Sequence, residues 1–467
     1  MRNLVVFLAF WMAFGGRAQV QDSIVLKFNE YLGYVKKYHP IAKQAELAIS
    51  MGQANLMRSR GGFDPKIEVD YDRKEFKGTE YYDRLNAAFK IPTWYGIDLK
   101  ANLEQNDGAF LNPAETVPTE GLYSAGVSMS LGRGSWINER MATLKQAKFF
   151  REQTIADRDL LVNQILFDAS LTYFDWLQAY MDSKVFVNFL SNAQIRFEGI
   201  KTSALAGEIA AIDTVEAKIA VQSRALELEQ ALVRFRNTSM DLSNFLWLSN
   251  DIPLEIQPNV IPEEDIASDI DVTLEILGKP LDSFTVENHP KLRSLGFKID
   301  GLIVDKRLKT NKLLPTIDLE YNFLTESPEF INSFVTEQYK GGLTFQMPLF
   351  LRKERGDLKL AKIKVQDAEF EFDNAQIEIR NKVFAIYNEL ESFQAQNILI
   401  DDIVTNTKIL LSAEERKFSF GESSLFLINS RESKLIDAVL KQNLVQNKYY
   451  SAKAKLFNSL AVNPENL

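Results

Sequence analysis

The sequence predicts a mixed fold of α-helices and β-strands, built twice over as helix, strand, strand, helix, helix. Three observations predict it. Short strings recur at one constant spacing: His39-Pro40 returns as His289-Pro290, and Pro65-Lys66-Ile67-Glu68-Val69-Asp70-Tyr71 returns as Pro315-Thr316-Ile317-Asp318-Leu319-Glu320-Tyr321. The second string in each copy alternates apolar and polar residues, the period of a strand with one apolar face. Each copy then ends in long stretches with no proline and almost no glycine. Recurrence at a fixed period is the signature of an internal repeat.

The chain opens with Arg2, an apolar run from Leu4 to Phe14, and Gly16-Arg17-Ala18 before Gln19. This reads as an export signal over 1–18. The run is too short for a membrane-spanning helix, which needs ~20 residues.

The first repeat covers 19–247. Residues 41–60 are Ala-rich, and Pro40 is placed to start a helix. Strands are expected within about 66–131. Ile67, Val69 and Tyr71 form one alternating set, and Tyr123, Ala125, Val127, Met129 and Leu131 another. Later matches, such as Lys145 with Lys359 and Gly207 with Gly421, fall at a shorter spacing. The first repeat therefore holds an insertion between Tyr71 and Lys145. It carries an additional hairpin over 84–105, with Leu85, Ala87, Phe89 and Ile91 facing Ile97, Leu99, Ala101 and Leu103 across the turn Pro92-Thr93-Trp94-Tyr95-Gly96. A longer loop, Asn106 to Gly121, leads to the next strand. A helical hairpin over 136–247 follows: one helix to 204, Gly207 as a left-handed cap, and a return helix from 213. Residues 248–285, with Pro253, Pro258, Pro262, Pro280 and many acids, read as a linker.

The second repeat covers 286–461, with a helix at 291–312, strands at 316–347 and a helical hairpin at 351–461 turning at Gly421. Residues 462–467 form a tail. At ~1.5 Å per residue the first helix of each hairpin would be roughly 100 Å long, beyond what a globular core requires. Helices this long, joined by short turns, point to coiled-coil packing. The strands admit two readings. They form a water-facing sheet over a core, or a membrane barrel with its apolar face towards lipid.

Composition narrows the function. There is no cysteine, which excludes disulfides, thiolate metal sites and thiol catalysis. Two histidines leave little for metal binding or acid–base work, and each precedes a proline at a helix start, a structural position. No Walker loop, G-x-S-x-G or H-E-x-x-H is present, so neither an enzyme, a cofactor nor a metal site is expected. A net charge of −9 gives no field for nucleic acid.

The duplicated order of elements, Pro65 and Pro315 before strands, and the tips Gly207-Glu208-Ile209-Ala210-Ala211-Ile212-Asp213 and Gly421-Glu422-Ser423-Ser424-Leu425-Phe426-Leu427 resemble the TolC-like outer membrane efflux family of Gram-negative bacteria. The resemblance covers nearly the whole chain after residue 18. It implies a homotrimer, with a β-barrel in outer-membrane lipid continued by a long α-helical barrel across the periplasm. It also implies docking to a periplasmic adaptor and an inner-membrane pump. The chain would then be a passive exit channel, its cargo unnamed by the sequence. The competing reading is a soluble periplasmic coiled-coil adaptor or scaffold, for which two equal hairpins are not expected. Pooling of strands between chains has its own physical ground, because open sheet edges are not tolerated in lipid. Counting the extra hairpin gives six strands per chain. A closed trimer would have 18, above the family's usual number, with the long loop outside the cell and the short turn on the periplasmic side.

The resemblance also directs attention to the tips. Asp213 and Glu216 follow Gly207 where family members often place acids after the second glycine, forming a ring at the periplasmic entrance. The second-repeat equivalents, Leu427 and Ser430, are not acidic. The plainer reading is that Asp213 caps the return helix. Tyr81, Tyr82, Trp94, Tyr95, Tyr123 and Tyr339 flank strands, and are candidates for aromatic girdles at the membrane interfaces.

Overall fold

The computed structural model describes residues 23–133, 136–276, 288–327 and 335–464. The expected export signal, 1–18, lies outside the described residues. A short strand β1 (Ile24–Leu26) leads into α1 (Phe28–Tyr38) and α2 (Pro40–Arg60). Four strands follow, β2 (Lys66–Phe76), β3 (Thr79–Pro92), β4 (Ile97–Asp107) and β5 (Leu122–Ser130), then α3 (Glu139–Leu205) and α4 (Ala211–Ser243). A connecting segment holds β6 (Trp247–Leu248), β7 (Ile252–Pro253), β8 (Val260–Pro262) and α5 (Ile270–Thr273). The remaining elements are α6 (Pro290–Asn311), β9 (Thr316–Thr325), β10 (Tyr339–Gln346), α7 (Arg352–Ser419) and α8 (Leu425–Ser459).

The two histidines explain the helix starts. His39 precedes α2 and His289 precedes α6. In each, the imidazole Nδ1 accepts the backbone N–H two residues on, from Ile41 at 3.2 Å and from Lys291 at 3.1 Å. Histidine thus fills the role usually taken by Ser or Asp at an N-cap. The proline that follows gives up a N–H that a first-turn residue could not pair.

Six of the strands form one sheet in the order β10-β9-β5-β4-β3-β2, antiparallel at every junction. Below it the long helices pack side by side as a wall. In the part far from the sheet α4 packs on α3, and α8 packs on both α3 and α7. In the part near the sheet α2 packs on α3, and α6 bridges α3 and α7. The wall is therefore four helices wide along its length, α3 and α7 running through and the shorter helices sharing the other two places.

The largest core lies midway along the wall. Phe28, Tyr31 and Leu32 of α1 pack against Tyr173, Phe174 and Trp176 of α3, with Tyr450 and Phe457 of α8. The segment between the repeats joins them through Ile266, Ile270, Leu274 and Ile276, and β8 pairs in parallel with β1. This segment is thus a packed collar as well as a connection. Its polar groups are met within the chain: the Tyr173 hydroxyl donates to the Leu26 carbonyl at 2.7 Å and accepts the Glu263 N–H at 3.2 Å.

Candidate functional site

The sheet separates residues by chemistry. Residues directly opposite one another across a ladder share a face. One face collects Ile67, Val69 and Tyr71 of β2, then Leu85, Ala87, Phe89 and Ile91 of β3, and Leu99, Ala101 and Leu103 of β4. It continues through Ala125, Val127 and Met129 of β5, Leu319, Tyr321 and Phe323 of β9, and Leu343 and Phe345 of β10. Nothing among the described residues covers it: Ile67 is 76% exposed and Leu343 69%. A continuous apolar surface of this size is not stable in water. The ladders are nine to fourteen residues long on β2 to β5, and a tilted strand needs about 9–11 to cross a membrane.

The opposite face is mostly polar, with Ala88, Leu122 and Leu324 among its residues, and is bound by charge pairs. Lys90 meets Glu68, Lys340 meets Glu104 at 3.6 Å, and the Ser130 hydroxyl bonds to Asp318. Lys100 of β4 reaches over β5 to Glu320 of β9 at 3.2 Å. It can do so because Gly126, its direct neighbour on β5, has no side chain in the way. The edge strands β2 and β10 are exposed along their full length, with no strand among the described residues on their outer sides.

The sheet is seated on the helices at the β3–β4 turn. The Trp94 ring stacks on Phe63 with centroids 5.5 Å apart and packs over Leu56, Leu144 and Met141. Trp94 therefore points into this joint, while its neighbour Tyr95 is 71% exposed. Tyr123 and Tyr339 lie at the far end of the sheet, each opposite β9 on the apolar face. Tyr81 shares the face of Leu85 and meets Phe110 at 4.7 Å, whereas Tyr82 lies on the polar face under the Arg84 guanidinium. Further exposed apolar residues border the sheet on the helix side: Trp136, Leu349 and Phe350. Sequence reading passed over them because they lie in connections, outside any periodic pattern. The unbroken run Leu349-Phe350-Leu351 beside a strand end was the available signal.

The outer helices of the wall also carry uncovered apolar seams. On α4 these are Ile212, Ile219, Leu226, Val233 and Met240, and on α7 Ile363, Phe370, Ile377 and Phe384, all exposed and seven residues apart. A strict seven-residue repeat marks a seam meant for another helix.

At the far end the two hairpins turn side by side. Gly207 and Gly421 both have φ of +76°, and each is followed by a residue whose N–H reaches back into the helix: Glu208 to Ser203 at 3.0 Å, and Glu422 to Lys417 at 2.9 Å. These are left-handed caps that glycine adopts without penalty. Leu425 of the second tip packs with Ile200 and Ala217 of the first. Asp213 does not cap α4. That helix begins two residues earlier behind Ala210, and Asp213 sits in its first turn, where a carboxylate still complements the helix dipole. Glu216 instead accepts from Asn429 of the second hairpin at 3.3 Å. One turn or more above the tips Glu432, 1% exposed, receives Arg196 at 2.7 Å and Arg224 at 3.2 Å. Arg224 also bonds Glu227 and the Ser433 hydroxyl, so its charge and its donors are met.

No helix among the described residues is long and apolar enough to cross a membrane, and no cluster among them could hold a metal ion. Residues 285–462 match the family model of outer membrane efflux proteins. No curated protein matches the sequence. The fold is shared with solved structures across almost the whole chain. The Campylobacter jejuni CmeC outer membrane channel superposes with a TM-score of 0.64 at 14% identity, covering 98% of this chain and 94% of that one. The Vibrio cholerae outer membrane protein VceC gives 0.63 at 12%, covering 93% and 96%. The Neisseria gonorrhoeae MtrE outer membrane channel, in its open state, gives 0.63 at 10%, covering 93% and 88%. The C-terminal part of the chain thus matches the outer membrane efflux protein model, and the whole chain shares the fold of these outer membrane channels.

Proposed function

We propose that three copies of the chain close their sheets edge to edge into one barrel of eighteen strands, opening into a helical tube that leads cargo out of the cell. The match of residues 285–462 to the outer membrane efflux protein model supports reading the chain as an outer-membrane exit channel. The number of copies and the closed barrel are inferred here. The single observation that carries the reading is the six-stranded sheet with a bare apolar face, a charged opposite face and two unpaired edges. In lipid, each unpaired edge amide costs several kcal/mol, so such a sheet must close. Six strands are too few for a single-chain barrel, which starts at eight. β2 of one copy and β10 of the next run in opposite directions, so the closing pair is antiparallel like the rest. The α4 seam, in the half of the wall far from the sheet, and the α7 seam, in the half near it, would each meet a helix of a neighbouring copy, completing the tube wall.

Transport through such a channel is passive, since the sequence has no nucleotide-binding loop. Cargo would arrive from an inner-membrane pump through a periplasmic adaptor docked at the hairpin tips. The test is extraction from outer-membrane fractions, followed by light scattering and image reconstruction. Detergent-dependent release, a trimer mass and eighteen strands in one ring are the expected results. A monomer or dimer released without detergent would overturn the proposal and leave a water-soluble scaffold in its place.

A further inference from the structure

The connection between β4 and β5, residues 108–121, folds onto the polar face of the sheet. The Glu115 carboxylate accepts from the Arg84 guanidinium at 3.0 Å, and the Glu115 carbonyl accepts from the Asn106 side-chain amide at 2.8 Å. Arg84 and Asn106 are direct partners across the β3–β4 ladder, on the face that also holds Asp72 and Glu104. Two separate bonds therefore pin one loop residue over that face.

The loop is built to stay there. At its start Gly108 has φ of +133°, and a Cβ there would lie 2.5 Å from the Tyr82 Cα. The chain can pass that close only as glycine. Asn112 caps a single tight turn over Pro113–Glu115 by accepting the Ala114 N–H at 3.1 Å. The Gly121 N–H donates to the Pro118 carbonyl at 2.9 Å, and Gly121 has φ of +94° where the chain enters β5. By contrast the β2–β3 connection is a two-residue turn, Lys77-Gly78, with both residues at positive φ, the geometry of a tight hairpin. The long connection is thus a separate device and no by-product of joining strands.

We infer that residues 108–121 form a size filter at the extracellular mouth of the channel, held over the lumen by Arg84 and Glu115. The inference rests on the barrel reading above, in which the polar face is the lumen. Three copies would project three such loops towards one axis, narrowing a bore that eighteen strands alone would leave wide. The filter would discriminate by bulk. Its anchoring charges, Arg84 and Glu115, are paired with one another and so contribute no selection by sign.

The natural absence of cysteine makes the test direct. Ser124 lies on the polar face, below the loop. The variant Ser124→Cys is treated in intact cells with a small charged methanethiosulfonate and, separately, with a polymer-linked maleimide. The same is done with the loop shortened, residues 107–119 being replaced by an Asn-Gly turn. Glu115→Gln, which keeps the loop and removes its ion pair, is a third background. The small reagent should label all three. The polymer reagent should leave the full-loop protein unlabelled, label the shortened one, and label Glu115→Gln to an intermediate extent. Equal polymer labelling with and without the loop would overturn the filter while keeping the barrel. No labelling by either reagent in any background would overturn the barrel reading itself.

Discussion

Arg224 on the return helix of the first hairpin and Glu432 on that of the second meet at 3.2 Å, where Glu432 is all but sealed from solvent. With Arg196 on the other side, this carboxylate ties the two hairpins together above their tips. Removing one member of a buried charge group strands the others, at about 3–5 kcal/mol. Glu432→Ala should therefore loosen the tips, seen as faster proteolysis near Gly207 and Gly421 and a lower unfolding temperature. Glu432→Gln, which keeps an acceptor, should fall between the two. Protease resistance equal to that of the parent would mean that water already serves these guanidinium groups.

Leu343 and Thr344 are neighbours on β10 that face opposite ways. A lysine on a lipid-facing position costs about 2–4 kcal/mol at mid-membrane, whereas lumen positions tolerate charge. Leu343→Lys should reduce the yield of folded, heat-resistant protein in the outer membrane. Thr344→Lys should not. Equal tolerance at both positions would argue for a sheet with water on both sides.

Trp94 is the hinge pin between sheet and helices, stacked on Phe63. Its ring is half-buried, so Trp94→Ala should cost about 2–3 kcal/mol, less than a fully buried tryptophan. The measurement is the midpoint of thermal unfolding in detergent. Tyr95→Ala, one residue on and exposed, is the control.

His289 is buried beneath the α6 start, and burial first, then the nearby Lys382, hold its pKa down to about 4, against the carbonyl of Ser459, which raises it. The folded form therefore binds the proton less readily than the unfolded chain. Stability is complete above about pH 6.5, where the unfolded imidazole is neutral too, and is lost as pH falls towards 4. His289→Asn keeps a cap acceptor and removes the titration, so its unfolding temperature should decline less between pH 6.5 and 4.

Leu226 is an uncovered apolar residue in the middle of the α4 seam. Leu226→Asp would place a charge where a neighbouring copy's helix is expected. The trimer fraction in size-exclusion chromatography with light scattering should fall, with the chain still helical by circular dichroism. An unaltered trimer would remove α4 from the interface.

The mixed helix-and-sheet class was legible because its signals are local. Ile67, Val69 and Tyr71 alternate with acids, and α3 and α7 occupy stretches without proline, so short-range periodicity suffices. Direction in turns was not legible. Trp94 and Tyr95 are adjacent and equally aromatic, yet one enters the joint and the other faces out, a choice made by the packing of Phe63 and Met141 that no strand period encodes. The charge group of Arg196, Arg224 and Glu432 was missed for a different reason. Two of its members come from the first hairpin and the third from the second, distant in sequence, and on each helix they look like solvated charges. The position of Asp213 turned on one residue, since Ala210 starts the helix without any side-chain cap.

The sheet begins with a strand rising from the helices and ends with one returning to them, because every strand in it belongs to an up-and-down pair. A hairpin can therefore be gained or lost in each copy without disturbing how copies join, since the outermost strands keep their opposite directions. In the barrel proposed above, the width of the opening and the number of subunits would be independent variables. The first would follow from how many hairpins each copy carries, and the second from how the helical walls pack against one another. The hairpin of β3 and β4 would then be an instance of this freedom: a change in calibre that asks nothing of the symmetry.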